Sequence, residues 1–139
     1  MGMPRIKLSN HGDTKFERLL GHNIEIQKNW SQLEESFFNT GQLSLKLKEQ
    51  VRRTLAQQNG CEYCRAKGKP DQIQFDEQTA VAVGFAEVFL KMKGETPSSI
   101  IEVLKESFTE AEISELCAFI TFMTASQYIG AMLGLKAES

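Results

Sequence analysis

The chain has 139 residues, 41% of them hydrophobic and 24% charged, an ordinary soluble globular composition that fits one domain with its own core. A formal net charge of −2 argues against general nucleic-acid binding, and three cysteines are too few for a disulfide framework. The start, Met1 to Lys7, has no apolar run, so no secretory signal is expected and the reducing cytoplasm is the expected compartment. Ile6 stands where a myristoylation motif needs Ser or Thr.

Residues 1–12 read as an irregular arm and 13–139 as a helical domain. Thr14 and Glu17 form a capping box for a short helix with Phe16, Leu19 and Leu20 on its apolar side. From His22 to about Asn39, the residues Ile26, Trp30, Leu33 and Phe37 recur at helical spacing and predict one buried face. Ser44 caps a third helix carrying Leu47, Val51, Thr54 and Leu55, which Asn59-Gly60 stops. Cys61 to Lys67 can form a short helix, and Gly68 to Asp71 a turn.

Asp76 caps a longer helix to about Lys93, with Val81, Phe85, Val88, Phe89 and Met92 inward and Gly94 closing it. Pro97 opens a helix with Ile100, Ile101, Leu104 and Phe108. Thr109 and Glu112 box the start of a last helix, Glu110 to Leu135. Its 20 charge-free residues from Leu116 are too polar for a membrane span, having Thr121, Thr124, Ser126 and Gln127. Such a helix must be surrounded by protein, and some of its surface is expected against another subunit. No segment alternates as a strand does. The expected fold is all-α, a single-domain helical bundle.

Cys61 and Cys64, at i and i+3 near a helix start, share a face, so their sulfurs can bond. From Lys46 to Lys69 seven basic residues face two acidic ones, a local charge of +5 within a chain of −2. That is either a solvated helix face or a field that favours thiolate. The pair suits thiol–disulfide exchange; the bland alternative is two buried cysteines acting as small hydrophobes. Structural zinc wants four ligands, and only Cys117, His11 and His22 remain, singly placed, so no metal is expected within one chain. Cys117 itself reads as core packing.

With Phe16 to His22, Trp30, Glu49 twelve residues before Cys61, Asn59-Gly60-Cys61-Glu62-Tyr63-Cys64 and Phe108 to Glu112, the chain resembles the alkylhydroperoxidase D and carboxymuconolactone decarboxylase superfamily. The resemblance covers about Phe16 to Leu135. For the alkylhydroperoxidase branch it implies a helical homo-oligomer, usually a trimer or hexamer. It also implies peroxide reduction by a dithiol–disulfide cycle that draws on a dithiol reductant and needs no cofactor. Cys64 would be the peroxidatic cysteine, Cys61 the resolving one and Glu49 a relay carboxylate.

The family's histidine, four residues after the second cysteine, is Gly68 here, and a second one sometimes found between the cysteines is Tyr63. Gly68 lies where a returning helix could bridge carboxylate to thiol, so Gly68→His is expected to raise activity if that gap limits it. Glu49 has an alternative role as an ion-pair partner of Arg52 or Arg53 on its own helix. Two other functions compete with the peroxidase: a catalytically impaired helical oligomer with a redox-responsive or binding role, and a lactone decarboxylase that does not rely on the cysteine pair.

Overall fold

A computed structural model describes residues 2–137. It is an all-helical bundle: α1 (Lys15–Leu20), α2 (Ile24–Asn39), α3 (Leu45–Gln58), α4 (Glu62–Arg65), α5 (Glu77–Met92), α6 (Ser98–Ser107) and α7 (Glu110–Met132), with one 3-10 turn at Gln72–Gln74. No described helix is long and apolar enough to cross a membrane.

The start signals work as local chemistry predicts. Thr14 and Thr109 each accept the amide three residues on, while Glu17 and Glu112 return a bond to the cap backbone. Ser44 and Asp76 cap α3 and α5 in the simpler way. The stop signals are less literal. Lys93, not Gly94, takes the positive φ (59°) after α5. The last helix ends at Met132, short of Leu135, because Gly134 adopts φ 66° and the Leu135 amide turns back to the Gly130 carbonyl at 2.9 Å. That is a Schellman stop.

The third helix packs on both α5 and α7, and α4 is wedged between α3 and α7. The core joins Leu47, Val51 and Leu55 of α3 to Ala82, Phe85 and Ala86 of α5 and to Leu116, Phe119 and Ile120 of α7. On α5 the inward stripe is Ala82, Val83, Phe85 and Ala86, while Met92 is exposed.

The face expected for α2 is displaced. Ile26 (54% exposed) and Leu33 (47%) point outward, and none of its residues is fully buried. The half-buried positions are Gln27, Trp30, Ser31, Glu34, Phe37 and Phe38, a helical stripe that mixes polar with aromatic. The aromatics decide the rotation. Trp30 and Phe37 lie 5.3 and 5.2 Å from Phe122, and Phe38 lies 5.7 Å from Phe119. Trp30 also donates to Ser126 Oγ at 3.0 Å. Three large rings of α2 packed against α7 outweigh two exposed aliphatic side chains.

Residues 2–14 are irregular but tied down. Arg5 donates its amide to Leu133 O at 2.7 Å and its guanidinium to Met132 O at 2.8 Å. Ser9 and Arg18 bond each other's carbonyls at 2.8 Å.

Candidate functional site

The Asn59-Gly60 break turns the chain so that α4 returns against α3 and α7. Asn59 is buried and donates to Gln127 Oε1 at 2.8 Å, which fixes the end of α3 to α7. Cys61 is the N-cap of α4, and its sulfur accepts the Cys64 amide at 3.2 Å. The two cysteines form a disulfide, with α-carbons 5.2 Å apart. Cys61 is 1% exposed, whereas Cys64 is half-buried and lines a cavity of about 110 Å³. Cys117 is outside this site, and burial pushes its thiol pKa up.

The disulfide backs onto α7 at Gly130. A β-carbon there would sit well inside contact distance of the Cys61 sulfur and 3.7 Å from the Cys64 sulfur. Only a residue without a side chain lets the pair approach the helix.

Beside Cys64, the cavity wall carries Glu17, Glu34, Arg52, Tyr63, Lys67 and Gln127. The basic cluster thus separates. Arg52 and Lys67 reach the cavity, Arg65 is exposed, and Lys48 is buried elsewhere. Lys67 is exposed as a residue, but its ammonium lies 4.9 Å from the centre of the Tyr63 ring. Desolvation of that ammonium lowers its pKa and neighbouring Arg52 adds to the effect, while Glu34 and Glu49 oppose it.

The predicted relay carboxylate lies to one side. Glu49 accepts Arg52 Nε and Nη2 at 2.9 and 2.7 Å and Arg53 Nε at 2.8 Å. Burial works against its charge, but these hydrogen bonds outweigh burial and hold its pKa below the ordinary carboxylate value. It does not line the cavity; its link to α4 is Arg52, whose Nη1 donates to the Cys64 carbonyl at 3.4 Å. The structure therefore brings Cys61 and Cys64 together and sets Glu49 behind an arginine. His22 hydrogen-bonds the Lys7 carbonyl at 2.5 Å. Among the described residues no three His, Cys, Asp or Glu side chains cluster as a metal site would require.

The neighbourhood of Gly68 corrects the expectation for Gly68→His. Its φ is 123°, a conformation L side chains rarely adopt, and a β-carbon would face the Arg53 guanidinium at 3.6 Å. Arg53 already occupies the space between Glu49 and residue 68. A histidine there would meet a cation rather than bridge to the thiol. Gly68→His is now expected to cost about 1–3 kcal/mol of stability and to leave Cys64 oxidation by peroxide no faster. Denaturant unfolding and a peroxide assay check the two halves; a faster variant would restore the bridging account.

Sequence reasoning missed Glu34. It lies one turn from Trp30 and from Phe38, so it shares their inward face. The signal was Trp30 and Phe38 eight residues apart with Glu34 midway, masked by the competing stripe through Ile26 and Leu33.

No family model matches the chain, and no curated protein matches it in sequence. Among solved structures it is similar to the crystal structure of an uncharacterized peroxidase-related protein from Silicibacter sp. TM1040. The TM-score is 0.77 at 16% sequence identity, with 90% of this chain and 76% of that chain covered. The likeness is one of fold: the chain is a helical bundle like that protein's, and it carries a bonded Cys-x-x-Cys pair.

Proposed function

We propose that the chain is an alkylhydroperoxidase-like thiol oxidoreductase that reduces peroxides through a Cys61/Cys64 dithiol–disulfide cycle. The observation that carries this is the division of the pair: Cys64 faces a small cavity beside Lys67 and Arg52, with Cys61 buried directly behind it. The peroxidase-related fold supports it.

In the forward half-cycle the Cys64 thiolate attacks one peroxide oxygen. An S–O bond forms, the O–O bond breaks, and the leaving oxygen takes a proton to become an alcohol or water. Cys61 then attacks the Cys64 sulfenic acid and releases water as the disulfide closes. A dithiol reductant attacks Cys64, the accessible sulfur, and Cys61 leaves as thiolate; the reductant's second thiol then displaces Cys64 and departs as its own disulfide. The Cys64 amide, already 3.2 Å from the Cys61 sulfur, stabilises that leaving charge. Glu49 acts through Arg52, holding the guanidinium against the Cys64 carbonyl. The exposed stripe of Ala118, Thr121, Tyr128 and Met132 on α7 supports assembly as a homo-oligomer.

The test is peroxide consumption by the purified protein with dithiothreitol. Cys64→Ser is expected to abolish turnover, and Cys61→Ser to stop at a sulfenic acid that dimedone traps. Absence of turnover in the wild type with any dithiol sinks the reading. The arginine clamp on Glu49 favours a second one, a redox-responsive helical oligomer with impaired catalysis. Thiols that oxidise reversibly without turning over peroxide would select it.

A further inference from the structure

Resting on the thiol-peroxidase reading, we propose that Glu34, reaching in from α2, is the acid–base partner of the Cys64 thiol, in place of the histidine that Gly68 lacks. Both line the same cavity of about 110 Å³, room for a few waters that could link the carboxyl to the thiol.

The other charged groups are already committed. Glu17, from α1, accepts the amides of Asp13 and Thr14 at 2.8 and 3.2 Å and the Ser31 hydroxyl at 2.9 Å. Burial opposes its charge, but those bonds prevail and keep its pKa low. Glu49 is held by two arginines. Among the described residues, nothing donates a hydrogen bond to the Glu34 carboxyl.

The groups acting on Glu34 are Lys67 from the loop after α4, Glu17 from α1, Arg52 from α3 and Glu35 from its own helix. Tyr63 and Cys64 of α4 share the cavity, and α7 contributes only the uncharged Met123, Ser126 and Gln127. Burial dominates and raises the Glu34 pKa; Lys67 and Arg52 oppose, and the two glutamates reinforce. A carboxyl raised in this way is closer in basicity to a thiol and exchanges a proton with it more readily than an ordinary one. Lys67 supplies the positive charge that steadies the thiolate once the proton has gone.

The step balances without an outside acid. The Glu34 carboxylate takes the Cys64 thiol proton. The thiolate forms an S–O bond with the peroxide, and the O–O bond breaks. Glu34 returns the same proton to the leaving oxygen. The sulfur is oxidised to sulfenic acid, the peroxide is reduced to an alcohol or water, and the carboxylate is restored.

The experiment uses the reduced full chain and two readouts, each followed from acid to alkaline pH. One is the rate at which iodoacetamide alkylates Cys64, resolved by peptide mass spectrometry. The other is the rate of Cys64 oxidation by hydrogen peroxide. Wild type is expected to show a second titration below that of the thiol. Glu34→Gln should lose it and oxidise about 100-fold more slowly, while Glu34→Asp recovers part of both. Unchanged profiles in Glu34→Gln overturn the proposal, as do equal losses in Gln and Asp, which would mark a packing role. A wild type that shows the second titration but resists peroxide overturns the peroxidase reading and leaves the Glu34–Cys64 pairing standing. A wild type oxidised normally, with profiles indifferent to Glu34→Gln, does the reverse.

Discussion

Replacing Lys48 with methionine is expected to destabilise the fold by about 3–5 kcal/mol, the usual cost of removing one member of a buried ion pair. Lys48 is 1% exposed, yet it carries an ammonium into the base of α3. There it meets Glu115 Oε2 at 2.6 Å, the Thr40 carbonyl at 3.1 Å and the Phe37 carbonyl. The other carboxylate oxygen accepts the amides of Gln42 and Leu43 at 2.7 and 3.3 Å. One ion pair thus closes the loop between α2 and α3 onto α7. Methionine fills the space of the stem but removes the ammonium from two carbonyls and from one carboxylate oxygen.

Acid should reveal the same contact. Burial alone would raise the Glu115 pKa, but Lys48 and the two amides outweigh it and lower it from 4.5. A carboxylate depressed on folding adds stability that is complete above its unfolded value and is lost as pH falls through its folded one. Wild-type stability is therefore expected to drop below about pH 4.5, and the Lys48→Met variant to drop less steeply. Denaturant unfolding at several pH values checks both. A loss under 1 kcal/mol at neutral pH would show that the loop is held by other means.

Gly130→Ala is the second large effect. The new methyl would press into the Cys61 sulfur from the last turn of α7, where the Gly130 carbonyl is already tied to the Leu135 amide. Overpacking of this kind costs about 1–3 kcal/mol. The cost should depend on oxidation state. Reduced Cys61 can rotate its sulfur away, whereas the bonded pair is fixed against the helix. The oxidised protein should thus lose more stability than the reduced one, and the variant's disulfide should be easier to reduce. Melting both forms of wild type and variant decides it. Equal losses in the two states would mean that the glycine serves helix packing alone.

Much of this was legible in the residues, because it depended on contacts within a few positions. The caps at Thr14, Ser44, Asp76 and Thr109 are side chains bonding amides three residues on, so spacing suffices to find them. Cys61 and Cys64 meet for the same local reason. What was hidden depended on partners far along the chain. Ile26 and Leu33 satisfied the helical period, but the rotation of α2 was decided by Phe119 and Phe122. That rotation turned Glu34 inward. Lys48 looked like one of seven surface cations until Glu115 appeared opposite it. Gly68 read as an empty place in a relay, and only the fold shows Arg53 filling it.

The helix bearing Cys64 is a single turn, too short to hold its shape by its own hydrogen bonds. It is held from outside, by the Leu135 carbonyl on the Tyr63 amide at 3.3 Å and by Arg52 on the Cys64 carbonyl. Such a segment opens at far lower free energy than α3 or α7, leaving the bundle intact. Under the proposed cycle, access of a bulky reductant to the Cys61–Cys64 bond would depend on local opening at this turn rather than on the global stability of the protein. The Schellman stop, by placing the Leu135 carbonyl, would then act on reductant access from the far end of the chain.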